Sequence, residues 1–475
     1  MSDTVPTPSD ESTGIDPQPP VVSGGPISPA RGALLSRASR LVDAFPDLPI
    51  SPPLTEAIDA RDAALVRASE QVLLRHWRAI GAMLRTCSTR PARDVEPGLR
   101  GALFAATAQM CFLDRVPHHA IVHETVDWVD ANVRMGAGAF ANAVLRRVQA
   151  LIGDPSTERV PASEWLKDPR SLPMADGRVR RLATRVFARG RNEGMSEQTS
   201  LAEGLCARWR ERLGDDRAER VMAASLCQSP VVLMGVDPDS LPGELRALTT
   251  PHARGGLVFH GDDAQLSAAL QSGGRYARVQ DPASSLAVAS ADGLGPRRIL
   301  DLCAGRGTKT MQLLHAHPDA EVVACDTDAA RLDSLRSRLA EGGFEKARAV
   351  TFDEALATRQ RYDLILLDVP CSNSGVLSRR LEARYRWSGR TISSLLRVQK
   401  EIAFKAIRVL EHGGHLLWST CSIDSEENEH MVEELGEMAE FETESMATSL
   451  PAGEPGAPPE TIANGSFHAL LRRAD

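Results

Sequence analysis

RRILDLCAGRG (297–307), TKTMQLLHAH (308–317), AEVVACDTD (320–328) and AARLDSLRSRLAEGG (329–343) follow one another without long gaps. The first and third are short apolar runs that stop at a glycine turn or an acid. The second and fourth repeat their apolar residues at three- and four-residue spacing. They read as strand, helix, strand, helix. The alternation resumes with RYDLILLDVPC (361–371) as strand, VQKEIAFKAIRVL (398–410) as helix and GGHLLWSTCS (413–422) as strand. It predicts a doubly wound α/β sheet over residues 282–475. NEHMVEELGEMAEFETE (428–444) reads as an acidic helix with a solvated face.

Three strand ends carry the chemistry. In ILDLCAGRGTKT (299–310), Gly305 and Gly307 lie between a strand and a helix that begins near Lys309. Small residues let backbone approach a ligand, and a helix N-terminus offers free N–H groups to a carboxylate or phosphate. Tight-turn packing alone explains a G-x-G about as well. The next strand ends in Cys325-Asp326, where an acid is suited to both hydroxyls of a ribose. The two together indicate a nucleoside-bearing cofactor, and Thr310 in place of a third glycine tilts the reading from NAD toward S-adenosylmethionine without deciding it. In LILLDVPCSNSG (364–375) a buried strand presents Asp368 and then Cys371; in HLLWSTCSIDSEEN (415–428) another presents Cys421. A lone cysteine at a strand end is more often a small buried hydrophobe. Two at corresponding ends suggest thiolate chemistry, helped by cations such as Lys309 or those of RRLEARYRWSGR (379–390).

Working outward, residues 33–153 are helical in pattern, with LRGALFAATAQMCFL (99–113) apolar nearly all round and therefore central. Short connections there indicate a bundle. Residues 154–200 read as a basic connector. Within it RVRRLATRVFARGR (178–191) has six Arg and no acid, and its spacing predicts a helix with an Arg stripe, either a solvated face or a phosphate contact. Residues 201–281 read as a small α+β module. Residues 1–32, rich in Pro, Ser, Gly and Asp, read as a disordered acidic tail.

Composition sets the limits. The 475 residues carry 63 Asp+Glu against 55 Lys+Arg, so a uniformly basic nucleic-acid coat is disfavoured, though local patches are not. No run approaches a membrane span, and MSDTVPTPSDEST lacks the basic start and apolar core of a secretory signal. Eight cysteines without regular spacing or a CxxC pair indicate neither a disulfide framework nor a zinc site, so no metal is expected and a reducing cytoplasm is the default. Only five basic residues are Lys, at 167, 309, 346, 400 and 405, a weak hint that some are kept for a purpose.

DLCAGRGTKT, VVACDTD, DLILLDVPCSNSG and STCSIDSEEN, in that order, resemble the RNA (cytosine-5)-methyltransferases of the Sun/Fmu, RsmB-like type. VQDPAS (279–284) and NGSFHALLRR (464–473) extend the resemblance. LRGALFAATAQMCFLDRVPHHAIVHETVDW (99–128) and GAFANAVLRRV (138–148) resemble the NusB-like RNA-binding domain of that family. The resemblance implies a Rossmann-like, S-adenosylmethionine-dependent methyltransferase domain behind an all-α NusB-like bundle. It implies an enzyme that makes 5-methylcytosine in RNA, 16S rRNA foremost. Cys421 would be the nucleophile that adds to cytosine C6, Cys371 the residue that assists release, and Asp368 the group that holds or protonates N3, with Lys309 beside them. The cofactor would lie against Cys303, Ala304, Gly305, Arg306, Gly307, Thr308 and Lys309, with Asp326 on the ribose, Asp353 near the adenine and Asp368 at the reacting end. A monomer is expected, with RNA and no membrane as partner.

The sequence departs from the family pattern in places. The family's loop reads CAAPGGKT; here Arg306 replaces the proline and Thr308 the second glycine. Arg306 either weakens cofactor binding or adds a charge-assisted bond to its carboxylate. PVVLMGVD (230–237) has Met234 and Asp237 where the family has Arg and Asn, and His468 stands where an aromatic is common. Three alternatives stay open at this level: a silent RNA-binding or ribosome-assembly factor, a tRNA cytosine-5 methyltransferase, and a DNA cytosine methyltransferase, which would use the Pro-Cys cysteine as nucleophile.

Overall fold

The computed structural model describes residues 27–49, 58–357 and 361–475. Among the described residues six α-helices come first: Pro29–Ala44, Ala60–Arg75, Trp77–Cys87, Pro97–Phe112, His118–Asn132 and Ala137–Leu151. Pro97–Phe112 is the central one. Its alanines on all sides are buried, including Ala102, Ala105, Ala106 and Ala108, and the other helices pack around it. Most of the sequence-predicted tail, residues 1–26, lies outside the described residues. Its end does not fit that reading, because the first helix already starts at Pro29. Proline suits a first helical turn, and Ser28 is tied by its N–H and hydroxyl to Glu124 at 2.9 and 2.8 Å.

The stretch 178–191 is not a helix. Val179–Leu182 is the middle strand of a three-stranded antiparallel sheet, between Ile152–Pro155 and Ser171–Pro173. Its arginines are largely spent within the fold. Arg180 is buried and bonds to the Cys111 carbonyl at 2.7 Å and to Asp114; Arg181 pairs with Asp168, and Arg178 with Asp176. The helical spacing of Val179, Leu182 and Val186 is real, but the partner strands decide the conformation. The rest of the connector is folded too: Trp165, Val179 and Met195 join the core formed by helices Glu203–Leu213 and Asp215–Ala224. Four antiparallel strands and the helix Asp263–Ser272 complete the middle of the chain.

The C-terminal sheet has seven strands: β1 (Arg298–Asp301), β2 (Glu321–Cys325), β3 (Ala347–Val350), β4 (Tyr362–Asp368), β5 (Leu410–Thr420), β6 (Phe441–Ser449) and β7 (Ser466–Arg473). Their order is β3-β2-β1-β4-β5-β7-β6. The first five are mutually parallel, and β7 runs antiparallel to both neighbours. This is the Rossmann-like methyltransferase fold. Leu364 to Leu367 are completely buried, as a strand covered on both faces requires. The chain leaves β1 toward β2 and β3, then returns to build β4 and β5 on the other side. The carboxyl ends of β1 and β4 therefore flank the switch point where such sheets bind ligands. Among the described residues, no helix is long and apolar enough to cross a membrane.

Candidate active site

Register alone brings the chemistry together. Parallel pairing of β4 and β5 sets Asp368 opposite Ser419. The Ser419 hydroxyl donates to Asp368 Oδ1 at 3.2 Å, and Lys309 Nζ donates to Oδ2 at 2.7 Å from the helix Thr308–Ala316. Just beyond those two strand ends come Cys371 and Cys421, whose sulfurs lie 3.1 Å apart. Asn373, at φ 62°, turns the first loop back; its Oδ1 accepts from the Cys421 thiol at 3.2 Å and its Nδ2 donates to the Cys371 carbonyl at 3.0 Å. The two loops touch through backbone at Gly375. Its N–H donates to the Cys421 carbonyl at 2.9 Å, and a Cβ there would lie 2.8 Å from that same oxygen.

The charges are ordered. Burial works against the Lys309 ammonium, but the charge and hydrogen bond of Asp368 outweigh it and hold the pKa above its ordinary value. The Cys371 thiol is pushed well above the usual range, first by its hydrogen bond with Cys421, then by burial, then by the charges of Cys421 and Glu427. Cys303 is also held as a thiol, by burial and by neighbouring Cys325, Asp301, Asp368 and Asp326. Burial pushes Cys87 up to about 11 and Cys111, Cys206 and Cys227 up to about 12, so these four are inert packing thiols.

The residues around β1 and β2 fit S-adenosylmethionine. Gly307, at φ +81°, permits the turn into the helix; a Cβ there would come 2.4 Å from Leu335 Cδ1. Thr308 is the first helical residue and needs no glycine, while Arg306 is exposed, so neither departure from the family loop fills the turn. Asp326, just past β2, accepts the Gly305 N–H at 2.9 Å and the Asp328 N–H at 2.8 Å and retains further acceptor capacity. Asp353 stands exposed after β3, at the same edge of the sheet. Asp301, at the end of β1, is completely buried; Thr310 donates to its Oδ2 at 2.6 Å, and Oδ1 has no partner among the described residues. An unpaired buried acceptor here suits the ammonium of a methionine portion.

Burial pushes the Asp301 carboxyl up to about 7, and the Thr310 hydroxyl offsets this only in part. An unfolded aspartate titrates near about 3.9. Below that both states are protonated. As pH rises toward 7 the unfolded chain sheds a proton that the folded protein keeps, so stability falls. Asp301→Asn should remove this loss. In thermal melts from about pH 4 to 8 the variant should gain on the parent as pH rises; a constant gap would refute the assignment.

Asp301, Ser419, Asn373, Gln399, Glu427 and Asn428 escape the sequence reading. All but Gln399 lie inside the quoted motifs, Asp301 and Asn373 as polar residues at or just past strand ends; the others show their part only through burial and bonding. In RRLEARYRWSGR, by contrast, Arg384 and Arg386 point into the protein, onto backbone carbonyls, rather than toward the thiols.

Residues 293–459 match the family model described as 16S rRNA methyltransferase RsmB/F, and residues 43–150 match that of the NusB family. The ribosomal RNA small subunit methyltransferase B of Xanthomonas campestris pv. campestris is 29% identical over 427 residues, covering 88% of this chain and 90% of that protein. Its namesake from Yersinia pseudotuberculosis is 34% identical over 200 residues, 41% of this chain and 47% of its own length. The crystal structure of PH0851 shares the fold, with a TM-score of 0.67, 19% identity, and coverage of 94% of this chain and 99% of that one. The chain thus joins a NusB-type bundle to a Rossmann-like, S-adenosylmethionine-dependent methyltransferase domain that is similar to the RsmB/F ribosomal RNA methyltransferases.

Proposed function

We propose that this protein converts a cytosine of 16S rRNA to 5-methylcytosine through a transient bond between Cys421 and the base. The observation that carries the reading is the pair of thiols 3.1 Å apart beside the Lys309–Asp368 ion pair. Cytosine C5 is a poor nucleophile. The Cys421 thiolate adds to C6, the ring electrons shift toward N3, and the Lys309–Asp368 pair meets the charge that develops there with a proton. C5 is then an enamine carbon and takes the methyl group. When bound, S-adenosylmethionine supplies that methyl as an electrophile. Cys371 removes the C5 proton, the C5–H electron pair forms the C5–C6 double bond, the C6–S pair leaves with Cys421 as its thiolate, and N3 returns its proton.

The environment of Cys371 suits its timing. While Cys421 is free, contact with it is the first cause holding the Cys371 proton in place. Once Cys421 is a thioether that charge is gone, and Cys371 loses its proton to water more readily at the step that needs a base. The target base must leave its stack before C6 is reachable. The free thiols that this chemistry needs persist in a reducing compartment, and the cytoplasm is the one we propose.

Tritium from methyl-labelled cofactor should pass to small-subunit RNA, and bisulfite sequencing with and without the gene should reveal one protected cytosine. RNA binding without transfer would favour the silent assembly factor. Protection in tRNA alone would move the substrate there.

A further inference from the structure

Two consecutive side chains, Glu427 and Asn428, grip the two sulfur-bearing loops, Glu427 chiefly that of Cys371 and Asn428 that of Cys421. Glu427 is completely buried. Its Oε1 accepts the Ser372 N–H at 2.9 Å and its Oε2 the Ser372 hydroxyl at 2.6 Å, directly after Cys371. Gln399 also donates to Oε1 at 3.0 Å, and to the carbonyl of Pro370 at 2.8 Å, directly before Cys371. The Cys371 peptide is thus held on both sides by one carboxylate and the amide it orients. Asn428 is equally buried. Its Oδ1 accepts the Thr420 hydroxyl at 2.6 Å and its Nδ2 donates to the Ser422 carbonyl at 3.1 Å, on either side of Cys421.

We propose that Glu427 and Asn428 are separate positioning residues for the two halves of the reaction: Asn428 aims Cys421 for attack on C6, and Glu427 aims Cys371 for release. The inference rests on the roles given above to the two cysteines. Among the described residues neither side chain is hydrogen-bonded to either sulfur, so each positions its cysteine through a neighbouring residue. Burial raises the Glu427 pKa, and the Ser372 and Ser422 hydroxyls counter that rise, which matches a carboxylate kept for its acceptor geometry.

The test is a single-turnover reaction of the full-length protein with S-adenosylmethionine and small-subunit RNA, read on denaturing gels for covalent RNA–protein complex. Cys371→Ala and Cys421→Ala run beside it. Glu427→Ala should accumulate complex, as Cys371→Ala does, with release slowed at least about 10-fold while complex forms at near the parental rate. Glu427→Gln keeps an acceptor for the Ser372 N–H and for Gln399, and should recover most of the release rate. Asn428→Ala should slow complex formation about 10-fold or more without accumulation. Melting curves establish that each variant is folded; a merely structural role would slow both steps together and give no opposite behaviour on the gel. Equal slowing of both steps in both variants would overturn the inference. If Cys371→Ala itself fails to accumulate complex, the cysteine roles fall, and this inference with them. If Cys371→Ala accumulates complex and Glu427→Ala does not, only the assignment of Glu427 falls.

Discussion

Replacing Cys421 with alanine should abolish methyl transfer, with turnover reduced on the order of 10⁴-fold or more, as when a nucleophile that works in concert with its neighbours is lost. Replacing Cys371 should give the opposite picture on a gel: attack and methyl transfer proceed once, release fails, and the protein migrates with RNA attached. The contrast follows from geometry. Both sulfurs sit at the carboxyl edge of the sheet and lie 3.1 Å apart, so position alone does not tell them apart. Their surroundings do. Cys371 is 8% exposed and strongly held as a thiol, whereas Cys421 is the more exposed of the two. The double variant should form no complex, because attack precedes release. If Cys371→Ala abolished complex formation and Cys421→Ala trapped it, the order of the two thiols would be reversed and the site would work as DNA cytosine methyltransferases do.

The second large effect is on stability. Arg384 is completely buried on the segment Leu381–Tyr385 that follows the Cys371 loop. Its guanidinium donates to the carbonyls of Ser200 at 3.2 Å, Ser225 at 2.6 Å and Leu377 at 3.0 Å, and to that of Thr199. No carboxylate is among its hydrogen-bond partners in the described residues, so the charge is met by carbonyl dipoles and the Ser225 hydroxyl. Burial lowers its pKa, yet arginine titrates so high that the group stays charged. Arg384→Met would fill much of the space and leave four dry carbonyls. At about 1 kcal/mol for each, the loss is about 4 kcal/mol, a large share of a domain's stability. A multidomain chain need not unfold in one step, so limited proteolysis across 195–230 reads the effect locally, alongside thermal melts. A melting temperature within a degree of the parent, with unchanged protease resistance, would show that water replaces the guanidinium at no cost.

The parallel sheet was legible because Leu364 to Leu367 and Leu416 to Trp418 are continuous apolar runs, and only strands covered on both faces need those. Cys371, Cys421 and Asp368 were legible because each stands where an apolar run stops, and Lys309 because it follows the glycine turn and is one of only five lysines. Residues 178–191 misled because Val179, Leu182 and Val186 share the spacing of a helix face, while the strand they form is chosen by pairing with residues 152–155, a long-range fact no local pattern contains. Glu427 and Asn428 were hidden for a different reason. IDSEENEH looks like an acidic approach to a helix, and only the folded structure shows that two of its acids, Asp424 and Glu427, are buried while Glu429 is partly exposed. Arg384 and Tyr385 were masked by a run of exposed arginines around them.

Tyr385 adds a last consequence. Its hydroxyl bonds to the carbonyl of Leu74 in the NusB-type bundle, one residue from the Arg384 that grips Thr199, Ser200 and Ser225. The stretch that leads away from the reactive loop is thereby bolted to the front of the molecule. For an RNA bound across those helices and this site, the thiols would lie at a preset span, as a gauge block meets its caliper, and reach itself would become a criterion for which nucleotide is modified.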